Sequence, residues 1–425
     1  MAAIRFTNVS IIDGTGAAPF PGEVLVENNR IKAVVRQGEP LAADGAEVVD
    51  GGGATLMPGM VEAHAHVTFA DTPTLTALSE IPTEEHIVLS LKNAKRYLDA
   101  GFTSLNSMAS AKARLDVVIR NTINAGDFPG PRMLAATPEL TVSSGLGDIR
   151  LMHLDRDCFA IVCDGADEFR RHARVLVREG VDTLKINPSG DEFVPHARAE
   201  TTVMTEEEIA AVCQVGVSHG KRVAVHARSA QSIKLSLKHG ARLINHATFA
   251  DAEAKDMLEK YKDEVFVMPT VGITYATVNE AGPWGLTTEI ATSMGFRREL
   301  EIACETMKDL KKRGVRILPG GDYGFAWNPI GTDARDLEHF VNLLGFTPME
   351  AIVSATKFGG EIMMMPGELG LVAEGALADL LLVDGDPSAD IRILQDSDRF
   401  LAIMKDGAFH KAPRGRAGAA REAAE

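Results

Sequence analysis

Side chains that commonly bind metal ions stand near the ends of five short apolar segments of the chain. They comprise four histidines, one lysine and one aspartate: His64, His66, Lys185, His226, His246 and Asp322. Imidazole and carboxylate groups suit divalent ions of borderline to hard character. Each residue alone has an ordinary explanation, such as a hydrogen-bonded core histidine or an aspartate in a turn. Their joint occurrence favours a metal site over six unrelated structural roles.

The apolar segments that carry these residues are predicted to be parallel strands. From about residue 58 to 369, strand-like runs alternate with helical patterns, which indicates βα units. Eight such units fit an α/β fold of the (β/α)8 TIM-barrel type, in which catalytic groups stand at the carboxyl ends of the strands. His64 and His66 are two residues apart and therefore point to the same face of the first strand. The candidate strands are MVEAHAHVTF, GFTSLNSM, PRMLAATPEL, TLKINPSG, RVAVHARS, RLINHATF, VFVMPTVG and VRILPGGD.

Both ends of the chain have the pattern of short strands outside the barrel. Asn28 and Asn29 separate two apolar runs and predict a hairpin. Neither terminal segment is long enough to bury a core of its own. We therefore expect residues 1–57 and 370–425 to form one composite β-sandwich domain beside a barrel of residues 58–369. Within the barrel, we expect 267–300 to form a lid or long loop, and the tail 412–425 to be mobile or a short exposed helix.

Charge and cysteine content narrow the classes of function. Lys and Arg number 44 against 59 Asp and Glu, a net charge of −15 that argues against binding nucleic acid or an anionic membrane. The four cysteines form no C-x-x-C pair, so neither a thiolate zinc site nor a disulfide framework is indicated. A reducing cytoplasm is the expected location. We see no signal peptide and no apolar run of about 20 residues that would span a bilayer.

The motifs resemble those of the amidohydrolase superfamily. The similarity is to the branch that contains imidazolonepropionase-like enzymes and Xaa-Pro dipeptidases (prolidases), and to ochratoxin-degrading amidohydrolases. It extends over nearly the whole chain. It rests on LMPGMVEAHAH, LKINPSG, VAVHARS, LINHATFAD, LPGGD and GELGLVAEGALADLLLVDGDP.

The resemblance implies a binuclear centre with two divalent ions. The ligand types favour zinc, and cobalt or manganese would also fit. It assigns the more buried ion to His64, His66 and Asp322, the second ion to His226 and His246, and the bridge between them to Lys185 N-carboxylated by CO₂. A carbamate supplies an anionic bridge that a neutral or protonated lysine cannot. A hydroxide between the ions would attack the amide carbonyl, and Asp322 would pass its proton to the leaving amine.

Three residues are expected to contact the substrate. Arg228 stands two residues after the strand-5 histidine, a position that contacts substrate in this branch, and an arginine there could clamp a carboxylate. The alternative is an arginine with a structural or surface role. Tyr323 and Trp327 follow the strand-8 aspartate and, with Met294, Phe296 and Phe325, could line an apolar pocket; the alternative is ordinary loop packing.

The loop after strand 3 departs from the pattern of the family. Relatives commonly carry a histidine there that helps to bind the carbonyl oxygen, whereas residues 143–148 read SSGLGD. His153 could replace it, or the metal alone could polarise the carbonyl. His196, after strand 4, is left without a role.

These observations favour a metal-dependent hydrolase that cleaves the amide bond of a dipeptide or N-acyl L-amino acid. The alternative is a metal-dependent hydrolase of a carbamate, phenylurea or cyclic amide of the imidazolone type. A non-catalytic binding barrel is disfavoured because all six ligand-type residues are present. The resemblance further implies that the protein forms a homo-oligomer. The expected binding partner is a small-molecule substrate.

Overall fold

The two ends of the chain meet in one mixed β-sheet. The computed structural model describes residues 3–154 and 156–413, so most of the tail for which we predicted mobility or a short helix lies outside the described residues. Strands are numbered in chain order. The sheet contains β1 (Ile4–Ile11), β2 (Phe20–Glu27), β3 (Arg30–Arg36), β4 (Glu47–Asp50), β5 (Thr55–Pro58), β16 (Leu380–Val383), β17 (Phe400–Lys405) and β18 (Ala408–Lys411).

The pairing of β5 with β16 joins the N-terminal strands to the C-terminal strands. The two run antiparallel, with Leu56 opposite Leu382, in the order β18-β17-β16-β5-β1-β2-β3, and β4 adds to β1. The predicted hairpin is confirmed, since β2 and β3 pair antiparallel across Asn28, whose φ is 57°. Alternate side chains such as Phe6 and Val24 are buried in a shared core, as expected for a sheet with one covered face.

A parallel (β/α)8 barrel fills the middle of the chain, as predicted. Its strands are β6 (Met60–Ala65), β7 (Phe102–Ser107), β8 (Arg132–Leu134), β9 (Ala136–Thr141), β11 (Thr183–Ile186), β12 (Arg222–Ser229), β13 (Leu243–Phe249), β14 (Phe266–Met268) and β15 (Arg316–Ile317). Consecutive β8 and β9 together make the third barrel strand, and β10 (Ile161–Val162) adds to the edge of β9. The barrel closes where Ala63 N–H donates to the Pro319 carbonyl at 3.2 Å.

Helices cover the outside of the barrel. They are α1 (Thr76–Glu80), α2 (Thr83–Asp99), α3 (Leu115–Asn124), α4 (Ala166–Arg178), α5 (Glu206–Ser218), α6 (Ala230–Lys238), α7 (Ala252–Lys260), α8 (Val271–Asn279), α9 (Thr288–Met294), α10 (Phe296–Lys312), α11 (Arg335–Asn342), α12 (Pro348–Ala355) and α13 (Lys357–Ile362). Thr205 caps α5 in a capping box with Glu208, as its sequence signature indicates. Among the described residues, no helix combines the length and the apolar character needed to span a bilayer.

The prediction of a long loop over 267–300 is wrong, and the alternative of a lid stays a prediction. This stretch contains α8, α9 and the first turn of α10. Helix α8 is buried on nearly every side, so its sequence lacks the alternation of apolar and polar faces that marks a surface helix. Gly295, with φ of 111°, ends α9 and begins α10, which breaks the periodicity again.

Candidate metal centre

All six residues with metal-binding side chains meet in one cavity at the carboxyl ends of the barrel strands. The apolar part of its wall comes from Phe69, Leu75, Leu146, Phe159, Phe193, Ile273, Phe296 and Phe325. The polar part comes from His64, His66, Glu139, Lys185, Asp191, His226, Arg228, His246, Thr274 and Asp322.

His64, His66 and Asp322 direct one ligand atom each at a common point. The Nε2 atoms of the two histidines are 3.1 Å apart. Asp322 Oδ1 lies 3.0 Å from His66 Nε2 and 3.6 Å from His64 Nε2. Burial disfavours the Asp322 carboxylate, but the two histidines outweigh that effect and hold its pKa well below the usual range. These three ligand atoms have the spacing and chemistry of a site for a divalent cation.

The far side of each imidazole is anchored to the protein. His64 Nδ1 is 2.8 Å from Asn245 Oδ1, and His66 Nδ1 is 3.2 Å from the Ala109 carbonyl. Because these acceptors take a proton from Nδ1, both Nε2 atoms keep a lone pair for a metal. Burial moves the pKa of His64 well below its ordinary value, which favours the neutral form that metals bind.

His226 and His246 form a second pair, with ring centroids 4.1 Å apart. His246 Nδ1 is 2.5 Å from Thr270 Oγ1, and its Nε2 is buried without a hydrogen-bond partner among the described residues. His226 is held through Nε2 by the Gly190 carbonyl at 3.1 Å, which leaves Nδ1 for a ligand. A buried imidazole nitrogen without a partner is costly unless something binds it, so this pair fits a cation.

Lys185 is 1% exposed and lies between the two groups of histidines along the strand order. No described residue forms an ion pair or hydrogen bond with its Nζ. Burial lowers the pKa of this amine, and Glu139 and Asp322 oppose the shift only in part. An unpaired buried ammonium is costly, and a neutral amine is the form that can react with CO₂.

The backbone at the site is held in conformations that side chains rarely adopt. His246, Thr270 and Asp322 all have positive φ, at 71°, 53° and 60°. Such strain collects at functional sites, where the surrounding structure enforces it. Gly320 lets the chain pass His64, since a Cβ there would lie 2.5 Å from the His64 Cβ.

The sequence profile of the Amidohydrolase family matches residues 55–409. The chain belongs to the amidohydrolase family. It is therefore a hydrolase that acts on C–N bonds, and the HxH pair with Asp322 is the metal site typical of the family.

Individual relatives are distant. The chain is 24% identical over 379 residues to the ochratoxinase of Aspergillus niger, which covers 84% of this chain and 76% of the relative. It is 23% identical over 408 residues to the imidazolonepropionase of Ralstonia nicotianae, covering 91% and 92%. A prolidase solved in complex with N-methylphosphonate-L-proline has a TM-score of 0.86 at 24% identity, covering 97% of this chain and 100% of that one.

Arg228 lies in the wall of the cavity of this amidohydrolase and is 3% exposed. Its Nε donates to Asp191 Oδ2 at 2.9 Å, and its Nη1 contacts Glu299 Oε1 on α10. Among the described residues, nothing accepts a hydrogen bond from Nη2. Burial raises the pKa of Glu299 to about 7, although Arg228 pulls it down. The guanidinium is therefore fixed in place with one amino group uncommitted.

Tyr323 and Trp327, which we expected to contact substrate, do not reach the cavity wall. Tyr323 is buried beside Gly321, and Trp327 donates from Nε1 to Thr277 Oγ1 at 3.0 Å. The chain has positive φ at Asp322 and again at Gly324, so the residues after the strand do not continue its alternation, and Phe325 lines the cavity instead. Phe296 also lines it, whereas Met294 does not.

Neither His153 nor His196 reaches the site, whereas two acidic residues that sequence reasoning missed do. His153 and His196 are exposed and lie outside the wall. Leu146, in the loop for which the resemblance led us to expect a histidine, stands in the wall. The missed residues are Asp191 and Glu139, and Glu139 stands near the carboxyl end of the third barrel strand. The position of Glu139 near a strand end was the available signal.

Proposed function

We propose that this amidohydrolase is a binuclear, metal-dependent enzyme that cleaves the amide bond of a dipeptide or an N-acyl L-amino acid. The observation that carries the proposal is the fixed guanidinium of Arg228 inside the cavity of the metal ligands. An arginine with an uncommitted amino group suits a substrate carboxylate. Relatives named ochratoxinase and prolidase support the same class.

The imidazole and carboxylate side chains of the cavity suit two divalent ions such as Zn²⁺. One ion would be held by His64, His66 and Asp322, the other by His226 and His246, with Lys185 as a carbamate ligand of both. When bound, the ions polarise the amide carbonyl and lower the pKa of water.

The side chains around the metals would orient the substrate and move its proton. Arg228 Nη2 would donate to the carboxylate of the amino acid released. The wall formed by Phe159, Phe193 and Phe325 would bury its apolar side chain and exclude water. Asp322 would accept a proton from the attacking water and transfer it to the leaving nitrogen.

A release assay tests this proposal. Zinc-loaded protein is incubated with a panel of dipeptides and N-acyl amino acids, with and without a chelator, and the free amino acid is quantified. Asp322→Asn is the control, because it keeps the shape of the side chain but removes the proton acceptor. We expect release that the chelator and the substitution both abolish. If metal-loaded protein releases no amino acid from any member of the panel, the proposal is refuted.

One observation favours the second candidate, a hydrolase of a carbamate, phenylurea or cyclic amide. Asp191 and Glu299 already balance the charge of Arg228. A substrate carboxylate would therefore add less binding free energy at this arginine than it would at an unpaired one. If this second candidate is correct, the same protein would not hydrolyse dipeptides or N-acyl amino acids and would hydrolyse a phenylurea or an imidazolone.

A further inference from the structure

Glu139 is a buried carboxylate with a free oxygen in the cavity wall. It is 8% exposed, and its Oε2 accepts a hydrogen bond from Asn187 Nδ2 at 2.8 Å. Its Oε1 accepts no hydrogen bond from any described residue, and the carboxylate forms no ion pair with them. Burying an anion without a cationic partner is costly. The structure therefore leaves a place for a cation at Oε1.

The position of this carboxylate is fixed by its neighbours. Gly147, with φ of 92°, lets the backbone pass close by, since a Cβ there would lie 2.9 Å from Glu139 Oε2. Asn187 also donates to the Leu146 carbonyl at 3.1 Å, which ties the carboxylate to the loop after strand 3. A preorganised acceptor of this kind gives a specific contact at low entropic cost.

Glu139 stands beside the metal ligands in the barrel. It is the direct register partner of Lys185 across strands β9 and β11. If Lys185 carries CO₂, as proposed above, it becomes an anion and cannot form an ion pair with Glu139. The ammonium group of a substrate could then make the direct contact with Oε1 that the described residues do not supply.

We propose that Glu139 binds the α-ammonium group of a free dipeptide and so makes the enzyme prefer dipeptides over N-acyl amino acids. This inference rests on the proposed function and narrows its substrate class. Arg228 stands on β12, two strands from Glu139, at a backbone distance on the order of 10 Å. Both long side chains reach inward, and a two-residue peptide spans about 7 Å. The two charged ends of a dipeptide thus have one partner each, on either side of Lys185.

The test compares two substrates that differ only in the ammonium group. L-Alanyl-L-phenylalanine and N-propionyl-L-phenylalanine have the same scissile bond, and the proposed function predicts that the zinc-loaded full chain releases phenylalanine from both. We expect kcat/KM to favour the dipeptide by at least tenfold. Glu139→Gln, which keeps an oxygen for Asn187, should lower kcat/KM for the dipeptide roughly tenfold to hundredfold, the usual effect of losing a charged hydrogen bond. The propionyl substrate should change by no more than about twofold.

The matched control is Glu192→Gln. Glu192 is also a buried carboxylate, paired with Arg198 at 2.6 Å, but lies outside the cavity wall. Its substitution should leave the ratio of the two kcat/KM values unchanged. Metal content is measured for each variant, because a merely structural role for Glu139 would reduce metal binding and lower both rates together.

The outcomes separate the two proposals. Equal or faster cleavage of the propionyl substrate by the wild type, or an equal loss on both substrates in Glu139→Gln, overturns the role of Glu139 and leaves the hydrolase function standing. No cleavage of either substrate by metal-loaded protein refutes the proposed function and this inference with it.

Discussion

Arg228→Met removes the guanidinium that contacts two buried carboxylates, and its cost can be worked from the structure. Arg228, Asp191 and Glu299 are 3%, 5% and 0% exposed. Removing one partner of a buried ion pair costs about 3–5 kcal/mol, because the remaining charge is left uncompensated. Glu299, whose pKa is already about 7, would take up a proton once the arginine is gone. The Asp191 carboxylate then lacks its guanidinium partner, so we expect a loss of about 3 kcal/mol in the free energy of unfolding.

Denaturant unfolding of metal-free protein measures this loss. The double variant Arg228→Met with Asp191→Asn should recover most of it, because it also removes the stranded charge. A loss of less than about 1 kcal/mol in the single variant, the range of exposed pairs, would refute the reasoning that Arg228 is a buried structural cation.

Kinetics on the same variants separate this structural role from substrate binding. At a temperature where Arg228→Met remains folded, the proposed function predicts a loss of kcat/KM for dipeptides in both the single and the double variant. Recovery of stability without recovery of activity is the expected pattern. Recovery of both would mean that Arg228 does not touch the substrate.

Three further predictions concern the metal site and the pH dependence of stability. Asn245→Ala removes the acceptor that orients His64 and should weaken metal binding about 10- to 100-fold, measured by chelator competition. Metal at 100 times its Kd should raise the free energy of unfolding by about 2.7 kcal/mol, and a chelator should reverse the gain; an unfolding midpoint indifferent to metal would contradict this. Burial raises the pKa of Asp336 to about 7, so its folded form keeps a proton that the unfolded form loses above about pH 4. Stability should therefore fall as pH rises from 4 to 7, and Asp336→Asn, which can still accept from Gly320 N–H, should flatten that slope in unfolding titrations of metal-free protein.

Much of the metal centre could be predicted from the sequence. The alternation of a strand places His64 and His66 on one face, and the barrel brings its strand ends to one rim. Residue type and position at a strand end thus brought all six ligand-type residues to the predicted cavity. The same local logic predicted the hairpin at Asn28.

The loops and the partners of charged residues could not be predicted in this way. Tyr323 and Phe325 are two residues apart after the same strand, yet only Phe325 lines the cavity, because Gly324 between them has φ of 122° and changes the direction of the chain. Likewise, α8 reads as irregular because it is buried on nearly all sides.

The sequence alone determined which side chains could bind metal and that strand ends would gather them, because strand periodicity and barrel closure are local and repetitive rules. Only the tertiary structure decided what surrounds those side chains. Glu299 contacts Arg228 although the two are 71 positions apart in the sequence, and Glu139 lies opposite Lys185 on the neighbouring strand. Such pairings depend on the packing of elements that are distant in the sequence. This packing determines which charged side chains in the cavity have a partner of opposite charge within the protein and which do not.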